Sequence, residues 1–261
     1  MADQPTKRNM KRYFMELSYK GTHYFGWQVQ PGQLSVQEVL ETRFSLFFRR
    51  PVAVTGAGRT DTGVHAGYYV AHFEVDDLPF SAADVVYKLN RFLPADIALH
   101  SIWEVPSDAH ARFSAISRTY TYSVSLHKDP FTADSAWYCP WPLDLPKMNA
   151  AAQILLHHTD FTSFSKLHSD VKTNLCRVGE ARWEEVGARL CFTITADRFL
   201  RNMVRAVVGT LVDTGRGKTG VQDFEEIILR KDRSAAGTSA PAHGLSLTGI
   251  RYPQEIYALK G

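Results

Sequence analysis

Hydrophobic and polar positions change period along this chain in a readable order. Residues 12–19 alternate, with Tyr13, Met15, Leu17 and Tyr19 on one face, which predicts a strand. Ser35-Val36-Gln37-Glu38 is a capping-box pattern, so a helix should start at Ser35 and bury the stripe Val36, Val39, Leu40, Phe44 and Phe47. Strand periods return at residues 52–55 and 68–75. A second helix opens at Ser81, runs through Val85, Val86, Leu89 and Phe92, and is stopped by Pro94. Residues 97–105 complete a βαββαβ order, the split βαβ of ferredoxin-like domains.

The second half repeats this grammar more loosely. Residues 118–126 read as a strand with Tyr120, Tyr122 and Val124 on one face, and 148–156 as a helix. Strands at 175–185 and 189–195 flank a hairpin at Val186-Gly187. Residues 200–212 form an amphipathic helix through Met203, Val204, Val207, Val208 and Leu211, with Gly215 and Gly217 just beyond its end. A short helix at 221–230 precedes a final strand at 245–252. The expected fold is α+β: two ferredoxin-like halves, 12–108 and 109–253, joined into one mainly antiparallel sheet with helices on one face and a cleft between the halves. No sequence repeat is visible, so the duplication rests on element order alone.

Between the strands at 52–55 and 68–75 lies Gly56-Ala57-Gly58-Arg59-Thr60-Asp61-Thr62-Gly63-Val64-His65-Ala66. Three glycines in eight positions free the backbone for a tight turn or a close approach. Asp61 stands two residues after Arg59, so in extended chain both point the same way. Such a turn suits a site holding an anionic polymer against a reactive carboxylate. It also suits an ordinary turn with a surface ion pair.

Composition narrows the choice. In 261 residues, 44% are hydrophobic and 22% charged, ordinary for a globular protein. A net charge of +3 permits a nucleic-acid partner without requiring one. Lys7, Arg8, Lys11 and Arg12 cluster near the start and read as a solvated tail rather than an RNA arm. Cys139, Cys176 and Cys191 are odd in number and form no Cys-x-x-Cys pair, so reduced structural thiols are expected. Without a secretory h-region or a membrane-length apolar run, a cytoplasmic location is expected. Gly215-Arg216-Gly217-Lys218-Thr219 looks like a phosphate loop but has Val212 where the Walker pattern needs glycine, and it follows a helix.

The central motif resembles that of the TruA family of tRNA pseudouridine synthases, G-R-T-D-x-G-V-H, with Thr62 where alanine is common. Four more stretches resemble family motifs in order. They are Tyr24-Phe25-Gly26-Trp27-Gln28; Ala111 to Ala115 with Arg118-Thr119-Tyr120-Thr121-Tyr122; Phe199 to Arg205; and Gly244-Leu245-Ser246-Leu247. The resemblance implies the two-half fold, an isomerase forming pseudouridine at tRNA positions 38, 39 and 40, a homodimer, and neither metal nor cofactor. It makes Asp61 the catalytic residue and lays Tyr120 against the target base. By residue type alone Tyr120 is more readily a cross-strand packing residue, which is also the expectation for Tyr122. Arg59 could fill the space the base leaves, or steady Asp61.

Arg201 and Arg205, four apart in the expected helix, should share a face, with one meeting a carboxylate such as Asp61 and the other facing RNA. Arg112 is a phosphate or sugar candidate. Leu245 matches a family position lining the base pocket, whereas its residue type favours core packing. His65 is expected to be a structural hydrogen-bonding residue. Two other readings remain: a catalytically inactive tRNA-binding protein of this fold, and an aspartate-dependent hydrolase or phosphotransferase. The second would need a metal, a second carboxylate or a nucleophile–base pair that the motif lacks.

Overall fold

The computed structural model describes residues 10–166 and 173–260. Its first elements follow the expected order: β1 (Lys11–Tyr19), α1 (Val36–Phe48), β2 (Val54–Gly56), β3 (His65–Val75), α2 (Ala82–Asn90) and β4 (Ile97–Val105). Ser35 and Ser81 cap the two helices, their side chains accepting from the backbone N–H of Glu38 and Asp84. Then come β5 (Ser117–Ser125), the short β6 (Trp137–Tyr138), α3 (Leu145–Ile154), β7 (Val178–Val186), β8 (Arg189–Ala196), α4 (Met203–Gly215), α5 (Val221–Arg230) and β9 (Leu245–Arg251).

Among the described residues nine strands form one sheet, ordered β4-β1-β3-β9-β5-β8-β7, with β2 on β3 and β6 on β5. Every pairing is antiparallel except β3–β9 and β5–β6. The fold is α+β. Two apolar clusters flank the seam where β9 meets β3. One is built on α1, α2 and β1 to β4, with Leu247 and Ile250 of β9; the other is built on α3 to α5, β5, β7 and β8. Tyr120 packs against both. Because β3 and β9 pair only at His65–Ser246 and Ala66–Leu247, the seam is short.

Several expectations shift. On β1 the expected face of Tyr13, Met15, Leu17 and Tyr19 is buried, and on the other face Phe14 is buried as well. Phe14 meets Trp103 and Tyr252 edge-on, because the chain after β9 returns across that side and Trp103 donates to the Ile256 carbonyl at 2.8 Å. Lys11 and Arg12 belong to β1 rather than to a tail, and they pair with Asp77, Glu104 and Glu74; Lys7 and Arg8 lie outside the described residues. Helix α4 begins at Met203, not at residue 200, because Asn202 takes the left-handed conformation (φ 65°). Gly215 is its last residue, and Gly217 (φ 73°) turns the chain away. The phosphate-loop lookalike is therefore a helix terminus, with Arg216 stacked 3.7 Å over the Trp141 ring. The three cysteines are free and buried. No described helix is long and apolar enough to cross a membrane.

Candidate active site

The loop from Gly56 to Val64 joins β2 to β3 beside the seam, and its backbone is fastened from several directions. Ala57 N–H donates to Val70 at 2.9 Å, and Tyr69 hydroxyl donates to the Gly58 carbonyl. The Thr60 hydroxyl lies 2.8 Å from that of Tyr19. Trp27 N–H donates to the Thr60 carbonyl (3.2 Å), and Gly63 N–H donates to Tyr24 (3.3 Å). The Tyr24–Gln28 stretch is thus the cradle of this loop. Its glycine has two reasons to be one: Gly26 has φ 87°, and a Cβ there would stand 2.4 Å from the Thr60 carbonyl. Val64 N–H closes a turn onto the Asp61 carbonyl at 3.1 Å, with Gly63 at φ 77°.

This turn leaves the Asp61 side chain a third exposed, with its Oδ2 4.0 Å from Nη1 of Arg205. Among the described residues nothing donates a hydrogen bond to that carboxylate, so its oxygens stay open to a ligand. Arg205 is itself fixed, its Nε donating to the Ala240 carbonyl at 2.7 Å. The ion pair crosses the seam, from the β2–β3 loop on one side to α4 on the other. At that distance and exposure it contributes little to stability.

Tyr120, on β5 opposite Leu247, packs edge-on against Phe199 at 5.2 Å. Burial first, and the nearby Asp61 carboxylate second, push its pKa up to about 12. The phenol is therefore protonated at neutral pH and presents an O–H donor, not a resident base. Tyr122 is a packing residue as expected, fully buried with its hydroxyl donating to Pro241 at 2.8 Å.

The other candidates separate. Arg59 is exposed; the partner that meets Asp61 is Arg205 and not its loop neighbour. Arg201 does not share a helix face with Arg205, because it precedes the left-handed Asn202; its side chain is exposed. Arg112 is exposed on the turn before β5. Leu245 is buried in the second core, paired across from Tyr122. His65 is a buried hydrogen-bonding hub: Nδ1 accepts from Gly21 N–H at 2.9 Å, while Nε2 lies 2.8 Å from the Asp134 carbonyl and 3.0 Å from that of His243. Those partners fix the tautomer with the proton on Nε2.

Arg118 stands in the sequence as the first residue of the Arg118–Tyr122 stretch, two strand positions before Tyr120, with no role that its residue type assigns. Its guanidinium donates to four carbonyls: Ala57 at 3.1 Å, Asp197 at 3.0 Å, Ala115 at 3.2 Å and Arg112. It thereby ties the Asp61 loop to the turn before β5 and to the segment leading into α4. No residue-type pattern signals this, since all its partners are backbone atoms.

A family model described as tRNA pseudouridine synthase matches residues 17–114 and 151–253, which include Asp61, Arg205 and Leu245 but not Arg118 and Tyr120. The chain belongs to the tRNA pseudouridine synthase family. Among curated relatives, tRNA pseudouridine synthase A of Bacteroides fragilis is 52% identical over 95% of this chain and 99% of its own. The Porphyromonas gingivalis protein of that name is 51% identical over 95% and 100%, and that of Bacillus licheniformis 40% over 90% and 97%. Family membership explains why the five motifs, far apart in sequence, converge: four supply loop, cradle, tyrosine and arginine to one seam. The fifth, Gly244 to Leu247, supplies the strand that forms the seam.

Proposed function

We propose that this chain isomerises uridine to pseudouridine in tRNA, at positions 38, 39 and 40 of the anticodon stem-loop, with Asp61 as the catalytic residue. The observation that carries this reading is the partly exposed Asp61 carboxylate, set 4.0 Å from Arg205 and near Tyr120 in a loop whose backbone is fastened at both ends. A carboxylate so placed can attack the nucleotide or remove a proton from it.

The reaction breaks the N1–C1′ bond, turns the base, and forms a C5–C1′ bond. C5 loses its proton and N1 gains one, so nothing is oxidised and no group is imported. Attack at C6, attack at C1′ and proton removal from C2′ all use the same Asp61. Tyr120 supplies a ring face for the extruded pyrimidine and a hydroxyl able to relay the C5 proton. Arg205 holds the carboxylate in place while its remaining N–H groups face the cleft. Arg59, Arg112 and Arg201, all exposed, are suited to phosphates. Leu245 would contribute apolar surface behind the base.

This reading divides the chain into halves at 12–108 and 109–253, the second completing the cleft that the first opens, and makes the working protein a cytoplasmic homodimer. The test is pseudouridine mapping on cellular tRNA from a deletion strain complemented with wild type or Asp61→Ala. Pseudouridine at positions 38–40 should return with wild type only; its return with Asp61→Ala would remove Asp61 from the reaction.

A further inference from the structure

The turn from Ala109 to Ala115 displays one large apolar side chain to solvent. Phe113 is 77% exposed, and the Arg112 guanidinium lies over its ring at 5.5 Å. Exposure alone would be ordinary, since Phe131 is 92% exposed; what sets Phe113 apart is the way its turn is held. The turn is not loose. Ala109 N–H donates to Pro106 (2.9 Å), and Arg12 donates to the Ala109 carbonyl (2.8 Å). His110 and Ser114 bond reciprocally, each at 2.9 Å. Ala111 N–H donates to the buried His72 at 3.1 Å, and the hydroxyl of buried Tyr252 donates to the Ala111 carbonyl. Arg112 and Phe113 N–H groups both point at Nδ1 of His110, 3.1 and 3.4 Å away. Arg118 takes the Arg112 and Ala115 carbonyls. Six side chains, from β1, β3, β5, the turn itself and the segment after β9, hold in one place the backbone that carries an exposed phenylalanine. Backbone held in advance loses little freedom on meeting a ligand, and the His110 ring, 4.4 Å from that of Phe113, narrows the choices of the side chain too.

We propose that Phe113 and Arg112 form a preorganised platform for an unstacked nucleobase of the RNA substrate, Phe113 stacking on the base and Arg112 pairing with a flanking phosphate. This rests on the tRNA reading above and extends it to a contact outside the reacting nucleotide. Location favours RNA over another protein. One nitrogen of Arg118 bonds both the Arg112 carbonyl and the Ala57 carbonyl of the Asp61 loop, so the platform adjoins the cleft. Charge favours it too: among the described residues Arg112 and Arg59 have no carboxylate partner, leaving two exposed guanidinium groups for a polyanion. Aromatic rings beside such cations are how single-stranded bases are held without reading their sequence.

The experiment titrates full-length protein with unmodified tRNA transcript, comparing wild type, Phe113→Ala, Phe113→Trp and Arg112→Gln. Phe113→Ala should raise Kd about tenfold, as expected for loss of one base–aromatic stack, while Phe113→Trp stays within about twofold of wild type. Neither should change Tm. The slope of log affinity against log salt should be unchanged for Phe113→Ala and shallower by about 1 for Arg112→Gln. Wild-type affinity in Phe113→Ala overturns the proposal. So does a changed sedimentation coefficient of the free variant, which would make this surface a protein contact. If wild type forms no pseudouridine but Phe113→Ala still loses affinity, the functional reading fails and the platform stands.

Discussion

Arg118 of β5 donates from Nη2 to the carbonyl of Ala57, 3.1 Å away in the Asp61 loop and 61 positions earlier in the chain. With Ala115, Asp197 and Arg112 as its other acceptors, this guanidinium fixes the distance between the loop that carries the acid and the strand that carries Tyr120. Burial lowers its pKa, the cost of placing a cation among carbonyls with no acid to balance it.

Arg118→Lys should therefore lower kcat by about 10- to 100-fold and leave KM within about threefold, since a lysine cannot serve four carbonyls spread across a planar fork. Steady-state kinetics on tRNA transcripts check this. Equal losses in Arg118→Lys and Arg118→Ala, confined to Tm, would reduce the residue to a structural prop.

Asp61→Asn should keep Tm and tRNA affinity near wild type while turnover falls at least about 100-fold. Its ion pair with Arg205 is long and partly exposed, so little stability rests on it. Melting, filter binding and product mapping on the same preparation separate the three effects.

His65→Phe fills a similar space but strands Gly21 N–H and the Asp134 and His243 carbonyls. With two or three buried polar groups unsatisfied, urea unfolding should show a loss of about 3 kcal/mol. A variant as stable as wild type would mean the three segments find other partners.

His72 gives the protein an acid-side weakness. Burial first, then the neighbouring His110 and Arg12, with Glu74 opposing, lower its pKa to about 4 from the ordinary 6.5. Between those values the unfolded chain takes up a proton that the native ring refuses, so stability rises with pH across the window and is lost as pH falls through it. His72→Gln keeps an acceptor for Ala111 and cannot be protonated there. Its stability should fall less than that of wild type between pH 6.5 and 4, measured by urea unfolding at each pH.

Much of the fold is legible along the chain because it is set by local period. The serine caps at Ser35 and Ser81, β4 at Ile97–Val105 and α5 at Val221–Arg230 follow from side-chain spacing and hydrogen bonds a few residues long. The motif around Asp61, and with it the family, is equally a property of the linear sequence. The start of α4 differs from the period of the chain because Asn202 takes a left-handed turn, its side chain bonded to Ser239, 37 positions away, where local spacing gives no sign of it.

What linear order leaves open is which strands become neighbours and which cations become partners. Asp61 has an arginine two residues away, yet it meets one 144 positions later, because the β3–β9 seam carries α4 to the loop while the turn sends Arg59 outward. Arg118 and His65 bind backbone atoms from three or more segments, and a carbonyl carries no residue-specific mark in a sequence. The acid proposed to react is marked by its own neighbourhood in the chain. Its surroundings came only from folding, since those contacts join groups that share nothing but their final positions.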